Sequence, residues 1–257
     1  MELKGVNAWH ESDIFHTFAS KCTTFMKPSI WTNLLDLIAP RRCAVCGNRL
    51  SPTESLLCVG CDLELEVTPF SLSPYDNPMA RLFWGQFPIE KASAWFYYRS
   101  HAAPSKMIYD LKYHGEALLG EDIGEEMARR HQPSGFFDGI DAIVPIPISR
   151  DRRRQRGYNQ SEMLARGISI ATCLPVYDLV VSRLQFVKSQ THQSSWERRE
   201  NVSGAFQLND PEKIRGKHLL LVDDIVTTGS TVIACAQTLA QAEGVRLSVL
   251  AVGFTKE

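Results

Sequence analysis

HLLLVDDIVTTGST, residues 218–231, changes character twice within one short stretch. Leu219–Val222 is a continuous apolar run, the pattern of a strand covered on both faces in a parallel sheet. Two carboxylates, Asp223 and Asp224, end it abruptly, and Thr227, Thr228, Gly229, Ser230 and Thr231 form a small, hydroxyl-rich turn. Val232, Ile233, Ala236, Leu239 and Ala240 then recur at helical spacing. A strand running through such a turn into a helix is an anion site in outline. The first helical amides have no partners of their own, and the helix dipole adds positive potential there. A phosphate suits the turn, whereas two acids would repel it and must serve another part of the ligand. Vicinal ribose hydroxyls, or Mg²⁺ held with them, fit that role, and a 5-phosphorylated ribose satisfies both halves. An ordinary βα turn that happens to carry two aspartates is the bland alternative. Two adjacent charges at the end of a buried strand are costly without a task.

Outward from this stretch, Asp141–Pro147 (DAIVPIP) reads as a second buried strand and opens into Arg150, Arg152, Arg153, Arg154, Arg156 and Gly157. An arginine cluster is commonly a solvated loop. Its place after a parallel strand and before a helix at Ser161–Thr172 puts it where open α/β sheets bind ligands. Arginine forks suit phosphates, so Arg153 and Arg156, with Gly157 permitting close approach, are the candidate polyphosphate group. Nucleic-acid phosphates are the competing partner. Strands are also expected at Lys91–Tyr98, Val176–Leu184, Ala205–Leu208 and Arg246–Phe254. Helices are expected at Pro104–Tyr113 and Glu116–His131, the latter with Leu118, Leu119, Ile123 and Met127 inward, and Pro69–Pro88 reads as loop. Gln185–Ser203 is a long polar stretch suited to a lid. Cys173 and Cys235 read as small buried apolar residues.

Near the N-terminus, Cys43-Ala-Val-Cys46-Gly47 and Cys58-Val-Gly-Cys61 are two C-x-x-C knuckles with eleven residues between them. Four thiolates in this spacing converge on a structural Zn²⁺ and leave no open coordination position for catalysis. A chain segment too short for a core of its own gains most from such a metal. The chain has 257 residues, of which 44% are apolar, and a net charge of −1. It is long enough for one α/β domain with a small appendage, and it carries no overall field that would draw it to nucleic acid or membrane. Seven cysteines, four of them in knuckles, suit a reducing, cytoplasmic compartment. No apolar stretch approaches a membrane span. The expected organisation is an N-terminal extension at 1–27, a short helix with the four-cysteine zinc module at 28–68, and the main domain at 89–257.

Val222–Thr231 resembles the PRPP-binding motif of type I phosphoribosyltransferases, in which the paired acids bind ribose hydroxyls and the Thr-rich loop cradles the 5-phosphate. The wider set resembles the ComF/GntX family of phosphoribosyltransferase-like proteins. It comprises the cysteine module, Leu111-Lys112-Tyr113-His114-Gly115, Pro145-Ile146-Pro147, Arg156-Gly157-Tyr158-Asn159-Gln160, and Arg199 with Asn201-Val202 and Ala205-Phe206. The resemblance implies an α/β fold with a twisted parallel sheet and flanking helices, plus a small N-terminal zinc-ribbon-like module. It further implies PRPP with Mg²⁺ at Asp223, Asp224 and Thr227–Thr231, pyrophosphate at the arginine block, and an association with DNA uptake or processing. Thr227 stands where purine-type enzymes carry an aspartate; orotate-type enzymes also carry Thr there, so it does not exclude catalysis but removes one assignable general base. Two function classes therefore stand. One is a phosphoribosyltransferase in which Asp223 and Asp224 orient the ribose for displacement of pyrophosphate. The other is a non-catalytic accessory protein that binds single-stranded DNA or a partner through the zinc module and the arginine-rich segment.

Overall fold

The computed structural model describes residues 40–113, 117–184 and 205–255. The expectations for residues 1–27, for an apolar helix near Ile30–Ile38, for His114 and Gly115, and for the polar stretch Gln185–Ser203 lie outside the described residues.

Four parallel strands form the main sheet in the order β1 (Ala92–Tyr98), β6 (Arg246–Thr255), β5 (His218–Val226), β2 (Ala142–Pro145). Each is the buried apolar run that a sheet covered on both faces requires. One face carries α3 (Ser105–Tyr113), α4 (Ala117–His131) and α6 (Gln160–Thr172), packed on Trp95, Ile143, Leu220 and Leu250. The other carries α2 (Pro78–Arg81), α8 (Ser230–Leu239) and an antiparallel hairpin of β3 (Val181–Arg183) with β4 (Phe206–Leu208). A short helix, α7 (Pro211–Ile214), leads from the hairpin into β5. This is a parallel sheet with helices on both faces, and the small module around α1 (Val59–Leu63) precedes it in the chain.

Several local expectations are revised. The stretch Pro69–Pro88 is not simple loop. Asn77 accepts hydrogen bonds from the amides of Met79 and Ala80, with Pro78 in the first turn, and this nucleates α2. Phe70, Met79 and Phe83 are then buried in the core. The arginine block is a short helix, α5 (Arg150–Arg156), because the Ser149 hydroxyl caps it and arginine is a good helix former. Val176–Leu184 contributes only β3 and a single bridge from Val176 to Ile143. Cys173 is exposed at the C-cap of α6 with φ +62°, whereas Cys235 is buried as expected.

Leu118, expected inward, is 74% exposed. The face of α4 turned to α6 is instead made by Gly120, Ile123, Gly124 and Met127. The two helices approach so closely that a Cβ on Gly124 would sit 2.1 Å from the Leu164 carbonyl oxygen, and one on Gly167 would sit 1.9 Å from that of Glu121. Glycine is required here for backbone contact.

Gly167→Ala should therefore destabilise the protein by about 2 kcal/mol or more, despite alanine's better helix propensity, as read by denaturant melts. Leu118→Ala should change stability by no more than about 0.5 kcal/mol in the same assay.

Candidate functional site

Strands β2 and β5 run in register from Ala142–Leu219 to Pro145–Val222, and the Ile146 amide donates to the Val222 carbonyl at 3.0 Å. There β2 ends, while β5 continues to Val226 paired with β6 alone. Asp223 and Asp224 therefore stand beside the β2–α5 connection, at the strand ends where such sheets bind ligands. Asn159 anchors the start of α6 to this edge. Its side chain donates to the Ile146 carbonyl at 3.1 Å and caps the Ser161 amide. Ser161 in turn points its hydroxyl at Asp223, 3.4 Å away.

The two acids are treated differently. Asp224 pairs with Lys112 of α3 at 3.0 Å, both side chains mostly buried. Asp223 has no such cation at contact distance among the described residues. Burial and then the neighbouring Asp224 carboxylate push it up to about 7, although the Asp224 amide donates to it at 2.9 Å and Lys112 pulls the other way. One acid is thus balanced internally and the other is poised to lose its proton near neutrality.

Next along the chain, Asp223 and Ile225–Val232 line a small cleft. Thr227, Thr228, Ser230 and Thr231 all line it, the Thr228 and Ser230 hydroxyls 2.9 Å apart and hydrogen-bonded to each other. Gly229 adopts φ +74°, and no side chain caps the N-terminus of α8. A glycine in this left-handed conformation turns the first amides of the helix toward the cleft. A Cβ there would also come within 3.0 Å of the Phe83 ring. The structure thus brings Asp223, Thr227, Thr228, Gly229, Ser230 and Thr231 together around one cleft, whereas Asp224 is not among its lining residues and pairs with Lys112.

The arginine candidates divide. Arg153 spends its fork on Glu162, at 2.8 and 3.1 Å. Arg156 lies 5.5 Å over the Tyr113 ring and donates to the Gln160 side-chain oxygen at 2.7 Å. Its Nε and the Gln160 Nε2 are buried without an acceptor among the described residues. Gly157 is the left-handed C-cap of α5, φ +83°. Lys112 is at the site although sequence reasoning assigns it no role. The only available signal is its place in the Leu111–Gly115 block.

The Sγ atoms of Cys43, Cys46, Cys58 and Cys61 all lie within 4.8 Å of one another, and those of Cys46 and Cys58 are 3.7 Å apart. Thiolates at the ~2.3 Å zinc–sulfur distance of a tetrahedral site are about 3.8 Å apart, so the set fits Zn²⁺. The Cys58 amide donates to the Cys43 sulfur at 3.4 Å. Burial raises the Cys43 thiol, but amides of Cys46, Cys58 and Val45 outweigh it and bring the group down to about 6. Cys61 is pushed up by burial and by the other three sulfurs. Four thiolates so close would need a divalent cation among them. The module docks through Arg130, which binds Asp62 and Glu126 at 2.6 Å each and covers the Trp95 ring at 5.1 Å.

Among protein families, the phosphoribosyl transferase domain matches residues 156–253. The DNA utilization protein YhgH of Escherichia coli strain K12 is 29% identical over 200 residues, covering 77% of this chain and 83% of that protein. Competence protein F of Haemophilus influenzae is 35% identical over 92 residues, 35% of this chain and 40% of its own. Among solved structures, the allosteric regulatory enzyme of purine biosynthesis aligns over 52% of this chain and 25% of its own, at 19% identity and a TM-score of 0.36. No helix among the described residues is long and apolar enough to cross a membrane.

Elemental analysis should find one zinc per chain, and Cys58→Ser should lose the metal and lower the melting temperature. The folded pKa of Asp223 lies above its unfolded value, so folding retains a proton that the unfolded chain releases between about pH 4 and pH 7. The group therefore costs stability as pH rises through that window. Asp223→Asn should raise stability at pH 8 by about 1–3 kcal/mol and leave it unchanged at pH 4, as read by melts across pH.

Proposed function

We propose that the chain is a ComF-type phosphoribosyltransferase-like protein that binds PRPP with Mg²⁺ at the β5–α8 junction. The 5-phosphate sits on Thr227–Thr231 and the uncapped first turn of α8, where amide and hydroxyl donors converge. The ribose hydroxyls reach Asp223 and Asp224, and Lys112 keeps the charge of that pair from repelling the ligand. The carrying observation is that both acids and the uncapped hydroxyl turn border a single strand end, with Asp223 and the turn lining one cleft. Mg²⁺ would neutralise charge on the diphosphate.

As an enzyme, the protein would transfer the 5-phosphoribosyl group to an acceptor, the C1–oxygen bond breaking through an oxocarbenium-like state to release pyrophosphate, with the donors around the strand ends stabilising the departing charge. As a PRPP-responsive accessory protein it would bind without turnover. The relatives named for DNA utilization and competence support a role linked to DNA uptake or handling. The exposed Arg150, Arg152 and Arg154 on α5 favour contact with single-stranded DNA as the second reading.

Calorimetric titration with PRPP and Mg²⁺ tests the site. The wild type should bind, and Asp223→Ala/Asp224→Ala should weaken binding by about 100-fold, an estimate from losing several hydrogen bonds to charged groups. Binding unchanged by the double substitution would remove the assignment. Pyrophosphate release over a panel of acceptor bases then separates transfer from response. Single-stranded DNA binding that weakens steeply with salt, and more gently after Arg150→Ala/Arg154→Ala, would support the accessory reading.

A further inference from the structure

The stretch Pro69–Pro88 precedes β1 in the chain, yet it reaches the turn that opens α8. Its frame is fixed by contacts that the turn does not share. The Asn77 side-chain nitrogen donates to the Ser73 and Ala92 carbonyls at 2.9 Å each, while its oxygen caps α2. The Ala92 amide donates back to the Pro74 carbonyl at 2.9 Å, and Phe70 meets the Tyr97 and Phe254 rings edge-on at 5.6 and 5.5 Å. Beyond α2 the chain turns tightly. The Phe83 amide donates to the Ala80 carbonyl at 3.1 Å, and the Phe87 amide to the Phe83 carbonyl at 2.9 Å. Phe83 is wholly buried, and its ring is the nearest group to Gly229 outside that glycine's own stretch of chain. A Cβ built on Gly229 would stand 3.0 Å from the ring and 3.7 Å from the Leu82 Cβ.

Gly229 needs such a neighbour. It sits at φ +74°, and no side chain caps the helix it begins. A glycine visits either sign of φ with similar ease, and the amides of Ser230 and Thr231 swing with it. We propose that Phe83 is the positioning residue of this turn. Its ring, fixed by the core, holds Gly229 left-handed, so that the first amides of α8 are aimed at the cleft before any ligand arrives. Ordering the turn in advance removes that cost from binding and raises affinity. The segment ahead of β1 thereby becomes part of the site, although none of its residues lines the cleft. Linkage is reciprocal: a phosphate on the turn stiffens the end of α2 through the same contact. That the turn takes a phosphate rests on the reading above; the packing of Phe83 on Gly229 does not.

The test is calorimetric titration of the zinc-loaded full chain with ribose 5-phosphate. Phe83→Leu should weaken binding about tenfold. Phe83→Met, long enough to reach the glycine but without a rigid ring, should weaken it about threefold. Phe70→Leu is a similarly buried change in the same apolar core, made against other rings, and should stay within about twofold of wild type. Hydrogen exchange followed by mass spectrometry gives a second readout. Ribose 5-phosphate should slow exchange of the Phe83 and Phe87 amides in the wild type, and less so in Phe83→Met. If Phe83→Leu does not fold, Phe83→Met and the exchange measurement carry the result. Equal losses in the Phe70 and Phe83 variants would mean general loosening of the core and would overturn the proposal. Wild-type affinity in both Phe83 variants, or no added protection at Phe83 and Phe87, removes Phe83 and leaves the turn as the phosphate site. No ribose 5-phosphate binding by the wild type removes both.

Discussion

Everything at the site follows from one mismatch in length: β5 outruns its neighbour β2. The last shared hydrogen bond joins Ile146 to Val222, and the next two residues of β5 are the aspartates. With a longer β2 they would face a paired strand and a closed sheet edge. With a shorter β5 they would lie in solvent. Held where they are, they stand in a partly desolvated crevice, and the rest of the fold supplies their compensations. Lys112 arrives from α3, Ser161 from α6, and the Asp224 amide from the strand itself. Each element that brings a partner is placed by its packing against the sheet.

The position of α6 shows how tightly this is set. Its start is tied to the end of β2 through Asn159, and its body lies against α4 with no side chain between the backbones at Gly124 and Gly167. Close-packed helices transmit displacement rather than absorb it. A change deep in that contact would shift Ser161 and Gln160 relative to Asp223 although none of the altered atoms is near the cleft.

The central strand, the acids, the hydroxyl turn and the cysteine knuckles were legible because each is local. Composition and spacing over a dozen residues carry the whole signal. What escaped was of two kinds. Some features are written in the absence of side chains: the inner face of α4 depends on Gly120 and Gly124, and a search for apolar periodicity moves instead to Leu118. Others depend on partners far apart in sequence. Nothing local ties Lys112 to Asp224 or takes Arg153 out of play through Glu162. The arginine block read as loop because its charge hid the Ser149 cap.

Cys43, Val45, Leu50 and Leu56 of the cysteine module share one apolar cluster with Trp95, Met127 and Leu220. Arg130 stitches the same seam from outside. The module is thus a buttress with no hinge of its own, unlike a finger on a tether. Whatever touches its outer surface is held in fixed register with the sheet, by architecture rather than by the chance encounters of a flexible arm.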